Sequence, residues 1–173
     1  MKRFLRSFYM IEPNIRRNMA VSTWFHERVP LVGRYIAMFI DRMLLWRYGL
    51  DVMSYRNRVK QLKISHPSGI LLGGNGIVSE GRVAVMSGVK FVAGSPDDPQ
   101  YLARHKTADV FRLGDNVMIG ANSTVIGPIE ICDNVMIATM SLVNKSITEP
   151  GTYAGIPARQ ISAEIPSDIW VRG

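Results

Sequence analysis

Residues 113–147 read LGDNVMIGANSTVIGPIEICDNVMIATMSLVNKSI. The pentapeptide DNVMI stands at 115–119 and again at 133–137, so that the second copy begins three hexads after the first. Every sixth residue of this stretch is aliphatic: Leu113, Ile119, Val125, Ile131, Ile137 and Val143. Four positions after each of these stands a small or β-branched residue: Val117, Ser123, Ile129, Val135, Ser141 and Ile147. Six consecutive hexads predict a repeat architecture rather than ordinary strand alternation.

Hexads of this kind suit short strands joined by tight turns, with one hexad on each side of a three-sided prism. The aliphatic residues then stack from coil to coil into an interior column, and one coil takes three hexads. Earlier hexads stand at Ile64 and Ile70 and at Val83 and Val89. The polar segment 95–112, SPDDPQYLARHKTADVFR, lacks the column. It predicts a loop that projects from the prism, the usual place for a site in repeat proteins.

The chain changes character near Gly49. Before it, Leu31, Tyr35, Phe39 and Met43 follow a 3.6-residue spacing, which predicts an amphipathic, broadly apolar helix. After it, glycine and β-branched residues become frequent and no helical period survives. We therefore predict a mainly β chain with a helical segment over 1–49, a parallel β-helix domain over 50–161 and a tail over 162–173.

Composition and charge restrict the function. The chain has 173 residues, 47% of them hydrophobic, which fits one folded domain and excludes a disordered or collagen-like chain. The net charge of +7 is uneven, because residues 1–50 hold nine basic and three acidic groups and the rest hold twelve and eleven. The predicted prism is therefore almost neutral, and we expect no nucleic-acid partner.

The chain has one cysteine, Cys132, and three histidines, which exclude an internal disulfide and do not readily supply a zinc site. We predict no metal, and a small buried role for Cys132. Arg34, Asp41 and Arg42 interrupt the most apolar stretch, which therefore cannot span a bilayer. These features favour a cytoplasmic protein.

Together, the motifs resemble those of the hexapeptide-repeat acyltransferases, in their serine O-acetyltransferase-like branch. The resemblance runs from Gly49 to Ile161 and rests on the hexads and four short motifs: GLDV at 49–52, ISHPSGI at 64–70, Arg104-His105, and AGIPAR at 154–159. It implies a left-handed coil, a homotrimer, and acetyl-CoA bound between neighbouring prisms. Handedness itself cannot be derived from periodicity, and the general rule for parallel crossovers favours the right-handed form.

The resemblance also implies roles for individual residues. His66 falls on the general base, Asp51 on the carboxylate that orients it, and His105 on a second histidine carried by the projecting loop. Arg104 beside it is a candidate for substrate binding. Backbone contacts to the coenzyme are expected near Ala93, Ala121 and Thr139, with Arg159 close by. Chemically, a neutral imidazole backed by a carboxylate suits proton removal from an alcohol that attacks a thioester.

This chain departs from the serine enzymes at one position that concerns the acceptor. The serine enzymes carry an aspartate directly before the base histidine, where it helps to hold the amino acid, and this chain has Ser65 there. A missing carboxylate removes a partner for a substrate ammonium group. The short N-terminal segment is closer in layout to acetyltransferases of polysaccharide biosynthesis, so we expect a sugar hydroxyl as acceptor, with L-serine as the alternative.

Two further alternatives stay open at this point. A β-prism can serve as a non-catalytic binding or assembly protein, and such a protein would not need Asp51, His66 and His105. Separately, the basic and aromatic segment 1–49 either contacts an anionic membrane, at the inner face of the cell, or packs on the trimer.

Overall fold

The computed structural model describes residues 11–164, so that 1–10 of the predicted helical segment and 165–173 of the predicted tail lie outside the described residues. Its helices are α1 (Ile11–Arg28), α2 (Gly33–Tyr48) and α3 (Pro99–Thr107), and a short 3₁₀ helix covers Ser54–Arg56. Thirteen strands lie within this range: β1 (Leu50–Val52), β2 (Asn57–Ser65), β3 (Ile70–Gly73), β4 (Ile77–Met86), β5 (Lys90–Ala93), β6 (Phe111–Leu113), β7 (Val117–Ile119), β8 (Thr124–Gly127), β9 (Ile129–Ile131), β10 (Val135–Ile137), β11 (Leu142–Val143), β12 (Gly151–Ala154) and β13 (Arg159–Ser162).

The strands form the three walls of a prism. One wall is a parallel sheet in the order β1-β3-β5-β8-β11. The other two walls are one bent sheet, because β2 and β4 pair along their length with a break in register at the bend. In the regular part, each strand pairs with the strand three hexads further along the chain, as Val117 does with Val135 and Thr124 with Leu142. The predicted parallel β-helix with three hexads in each coil is confirmed.

The hexad residues form the core. All twelve positions of the two repeating series between 113 and 147 are buried. The two serines of the second series are buried as fully as the aliphatics because they bond the backbone: the Ser123 hydroxyl donates to the carbonyl of Ala138 at 2.9 Å and accepts from the Ser141 amide at 3.1 Å. Small polar residues thus fit where a wall bends, since each finds a partner there.

Three edges separate the walls, and each consists of turns stacked from coil to coil. The first edge comprises the turns 66–69, 87–88, 121–122 and 139–140; the second comprises 54–56, 74–76 and the insert 94–110; the third comprises 80–81, 114–116 and 132–134. Many of these turns need a positive φ, which Asn116, Asn122 and Asn134 supply at 55–59°. Asparagine tolerates this left-handed conformation better than most residues with a side chain, which explains its recurrence in the repeats.

Two helices close the N-terminal end of the prism. The helix α2 ends at Gly49, whose φ of 66° lets its amide bond the carbonyls of Leu44 and Leu45 before the chain enters β1. The inner side of α2 buries Ala37, Asp41 and Leu44. An apolar helix was predicted here. In the structure its largest apolar side chains, among them Phe39 and Trp46, are exposed and point away from the rest of the fold.

The insert is more ordered and shorter than the loop predicted over 95–112. Asp98 caps α3 by accepting from the Gln100 amide at 2.9 Å, and Pro99 occupies the first turn. An aspartate followed by proline is a helix start as well as a turn signal. At the other end, Val110 and Phe111 are fully buried and Phe111 opens β6, so the chain rejoins the wall before residue 112. The ring of Phe111 packs edge-on against Phe91 in the core.

Candidate active site at the first and second edges

His66 lies in an unusually long turn of the first edge. Ser65 pairs with Met86 and Leu71 with Lys90, so the four residues 66–69 stand against only two, Ser87 and Gly88. The turns stacked beyond also have two residues, 121–122 and 139–140, given the pairing of β4 with β7 and of β7 with β10. The two additional residues make the His66 turn bulge outward, and the imidazole is exposed, with a backbone φ of 56°.

The same comparison corrects the placement of the early hexads. Ile70 and Val89 are in register, since the residues that follow them pair with each other, but Ile64 pairs with Val85 and not with Val83. The hexads at Ile64 and Val83 therefore do not stack on each other. Val83 and Val85 are two residues apart, which equals the number of additional residues in the His66 turn.

Asp51 lies on the wall that begins at this edge, one coil before the His66 turn, and the Gly69 amide of that turn donates to the carbonyl of Gly49 just before β1. It sits in the middle of β1, paired with Leu71 of β3, and its side chain is exposed. Among residues 11–164 the two side chains of Asp51 and His66 share no hydrogen bond, so Asp51 as the orienting carboxylate stays a prediction. Ser65, the residue before the histidine, closes β2 and is half-buried.

His105 lies on α3, which several polar contacts fasten to the second edge. The Arg56 guanidinium donates to the carbonyls of Gly74 and His105 at 3.0 and 3.1 Å. Arg58 donates to the carbonyls of Thr107 and Ala108 at the end of the helix. Since the last carbonyls of a helix lack internal partners, these two arginines satisfy and hold the end that carries His105.

The imidazole of His105 has a side-chain neighbour of its own. The Tyr101 hydroxyl donates to Asn75 Oδ1 at 2.9 Å and lies 3.5 Å from His105 Nδ1. Because the Tyr101 hydroxyl already donates its hydrogen to Asn75, it can only accept a hydrogen bond from the His105 ring. This favours the tautomer of His105 with a proton on Nδ1 and a free lone pair on Nε2. Tyr101 and Asn75 were not among the site residues predicted from the sequence. The signal was weak, because Asn75 stands in a glycine-rich turn and Tyr101 in a segment predicted to be a loop.

Arg104 faces the prism. It forms an ion pair with Glu130, and Glu130 is shared with Arg112 at 3.2 Å. Arg112 in turn pairs with Asp109 at 2.6 Å. Burial alone would raise the pKa of Asp109, but the hydrogen bonds from Thr107 and Arg112 outweigh it and hold that pKa below its usual value. This network ties α3 to β6 and β9, and the substrate role of Arg104 stays a prediction.

The two histidines lie at different edges of one chain. His66 precedes β3 at the first edge, whereas His105 lies beside Gly74 and Asn75, where β3 has ended at the second. The four residues of β3, which separate the two edges, alone span about 13 Å. One chain by itself therefore does not bring the two imidazoles together.

The positions expected to contact the coenzyme divide between the same two edges. Ala121 and Thr139 are stacked in the first edge, in the column that continues from the His66 turn. Arg159 begins β13 beside Ala154, near the last turn of that edge. Ala93 lies on the second edge instead, paired with Gly127. An elongated ligand along the first edge would pass Ala121 and Thr139 on its way from His66.

Other features lie away from the histidines. A groove of about 720 Å³ follows the third edge, lined by Lys60, Glu80, Arg82 and Asp115 among others. Cys132, for which a small buried role was predicted, is half-buried and packs against the core, and burial raises the pKa of its thiol. Between residues 11 and 164, no group of three or more His, Cys, Asp or Glu side chains could hold a metal ion. No helix in the described part of the chain is both long and apolar enough to cross a bilayer.

Comparison with known proteins agrees with the fold and its repeats. The family model "Bacterial transferase hexapeptide (six repeats)" matches residues 112–145. Serine acetyltransferase from Synechococcus elongatus is 28% identical over 142 residues, which cover 82% of this chain and 53% of the relative. The bifunctional protein GlmU from Streptococcus uberis is 38% identical over 84 residues, 49% of this chain and 18% of the relative.

A solved structure of similar fold is serine acetyltransferase from Brucella abortus in complex with coenzyme A. It superposes with a TM-score of 0.74 at 22% identity and covers 88% of this chain and 56% of the other. The left-handed β-helix is thereby confirmed. The chain resembles the hexapeptide-repeat acyltransferases of the serine acetyltransferase-like branch, and it spans about half the length of the serine acetyltransferase from Synechococcus elongatus.

Proposed function

We propose that this protein is an acetyl-CoA-dependent O-acetyltransferase with His66 as its general base. The observation that carries the proposal is the long turn of the first edge. Its two additional residues push an exposed imidazole outward on the same edge that stacks Ala121 and Thr139. The turns of the following coils form the same edge with two residues each, so the longer turn is a local departure from the repeat.

The proposed reaction needs no covalent enzyme intermediate, because a thioester is already an activated acyl donor. His66 takes the proton from the acceptor hydroxyl as its oxygen attacks the thioester carbonyl. The C–S bond then breaks, and the imidazolium returns the proton to the departing thiolate, leaving an acetyl ester and coenzyme A. Asp51 would orient the ring and stabilise the imidazolium, which requires the exposed His66 side chain to turn toward β1 when substrates bind.

A homotrimer is part of the proposal. His66 and His105 lie at different edges of one chain, so a site that contains both needs the second edge of one copy to face the first edge of another. Co-assembly of a His66→Ala chain with a His105→Ala chain tests this arrangement. Mixed trimers would regain part of the activity that each variant lacks, whereas a site contained within one chain would stay inactive in every mixture.

L-serine is the first candidate acceptor, because serine acetyltransferases are prominent among the similar proteins. A sugar hydroxyl is the second, and one observation favours it: Ser65 occupies the position of the aspartate that helps the serine enzymes hold their amino acid. A neutral hydroxyl there offers a weaker partner for an ammonium group and an adequate one for a sugar. The predicted cytoplasmic location belongs to the same proposal.

A coenzyme A release assay tests the activity and the acceptor together. The purified chain is given acetyl-CoA with L-serine, and then with a panel of sugars and nucleotide sugars. His66→Ala should lower turnover by about 10²–10⁴-fold. The exposed Lys145, replaced by alanine, is the matched control and should leave turnover unchanged. Equal turnover above background in wild type and His66→Ala would remove His66 as the base, and wild-type turnover at background with every acceptor would favour a non-catalytic binding or assembly protein.

A further inference from the structure

The outer face of α2 is apolar although it packs against nothing in the described chain. Phe39 and Trp46 are 66% and 81% exposed, and Leu31 and Val32, just before the helix, are 85% and 59% exposed. Tyr35 lies one turn before Phe39 on the same side. An exposed apolar surface that is contiguous along a helix marks an interaction site rather than a random surface.

The exposed charged side chains on this face of α2 are all positive. Arg42 stands between Phe39 and Trp46 on the outward side, and Arg34 stacks on the Tyr35 ring at 4.7 Å. The acidic residue of α2, Asp41, points inward, 9% exposed, and accepts hydrogen bonds from the backbone amide and the hydroxyl of Ser54. The exposed surface of α2 therefore combines aromatic and aliphatic groups with positive charge and offers no carboxylate.

A second copy of this chain would fit the face poorly. A two-fold contact sets the patch against its own copy, so four arginines, Arg34 and Arg42 of each chain, would share one contact in which α2 offers no exposed carboxylate. Like charges in an apolar contact are costly because neither charge keeps its water or gains a partner. The complementary partner is apolar in its interior and negative at its surface.

We propose that the outer face of α2 binds an anionic phospholipid surface, with the helix lying in the plane of the interface. Its 16 residues, about 24 Å long, would place Phe39 and Trp46 among the acyl chains, with Arg34 and Arg42 at the phosphates. Tyrosine and tryptophan favour this depth because each has an apolar body and a polar group. The inference is independent of the proposed enzymatic activity.

Vesicle flotation with the full-length chain tests the inference. The vesicles are phosphatidylcholine alone, and phosphatidylcholine mixed with phosphatidylglycerol. Wild type should float with the mixed vesicles at low salt and much less at high salt, because screening weakens attraction between exposed charges. Replacing both Phe39 and Trp46 with serine should weaken binding by at least about tenfold. Arg42→Gln should weaken it about fivefold, the contribution of one arginine near an anionic surface.

Matched controls remove similar groups from the prism. Ile161 is 65% exposed on β13, and Ile161→Ser should not change flotation; the exposed Lys145, changed to glutamine, is the control for charge. Circular dichroism checks that every variant keeps its fold.

Three results would overturn the inference. They are no flotation of wild type, equal flotation with neutral vesicles, and equal loss in the Ile161→Ser control. If the Phe39 and Trp46 variant instead broke up an oligomer in lipid-free buffer and wild type did not float, the face would be a contact between protein chains. None of these results depends on acetyl transfer, so the proposed function stands or falls separately.

Discussion

The coils on either side of the insert differ in regularity. From Leu113 to Ile147 the strands repeat every third hexad, and the turns of the first edge there have two residues. Before the insert, the offset between paired residues of β2 and β4 changes along the strands, and the first edge has its long turn. One apolar core runs through both regions, while the candidate catalytic residues lie where the repeat is interrupted.

The sharpest test of this comparison makes the irregular turn regular. Deleting Pro67 and Ser68 leaves His66-Gly69, a two-residue turn that matches Ser87-Gly88 in the next coil. We expect the fold to persist, because Gly69 already has the positive φ that Gly88 uses. Acetyl transfer should fall by about 10²–10⁴-fold as the imidazole withdraws toward the column.

Thermal unfolding and the coenzyme A release assay are measured on the same preparation of the deletion variant. A Tm close to that of wild type with lost activity would support the division between the regions. Retained activity would mean that the bulge does not position His66.

The converse test removes a core residue from the regular coils. Ile137 is completely buried in the aliphatic column, so Ile137→Ala should lower the free energy of unfolding by about 2–5 kcal/mol, through lost burial and the cavity left behind. The kcat per folded molecule, measured at saturating acetyl-CoA because Thr139 lies two residues further on, should stay near wild type, since Ile137 lies far from both histidines along the chain. Denaturant titration measures the loss, and Lys145→Ala, at the surface, should stay within about 0.5 kcal/mol.

The regular repeat was the most predictable part of the fold. Aliphatics at every sixth position predicted the prism, because an interior column can be built in few other ways. The long His66 turn was missed, since Ile64, Ile70, Val83 and Val89 fit hexads in either register. The insert was predicted to be a loop, although Asp98-Pro99 within it is a pair that starts a helix.

The site was predictable in its residue types and less so in its arrangement. His66 and His105 were found through their motifs, but a sequence does not say that β3 separates them. Tyr101 carries no signal until α3 turns it toward His105. The helix α2 is apolar on most sides, so its pattern could not tell that Leu44 is buried while Phe39 is exposed.

A smaller effect is expected at Tyr101, which positions His105. Tyr101→Phe keeps the ring but removes the hydroxyl that links Asn75 to His105. We expect kcat to fall roughly tenfold, the equivalent of one hydrogen bond, with little change in the KM for acetyl-CoA. Tyr153→Phe is the matched control, because its hydroxyl donates only to the carbonyl of Glu149. If Tyr101→Phe lowered stability but left kcat unchanged, Tyr101 would anchor α3 without positioning His105.

The smallest effect concerns Asp115, which ties the irregular strand β4 to the regular coils. The side chain and the backbone amide of Arg82 both bond its carboxylate and hold its pKa well below its usual value. A lowered pKa in the folded state stabilises the protein above the ordinary pKa of an aspartate, near 4, and the contribution is lost as the pH falls through the folded value. Wild type should therefore exceed Asp115→Asn in stability at neutral pH by no more than about 1 kcal/mol, since the pair is partly exposed. Urea titrations of both chains at several pH values below 5 should show the difference shrinking, and a difference that grew with acidity would contradict the assignment.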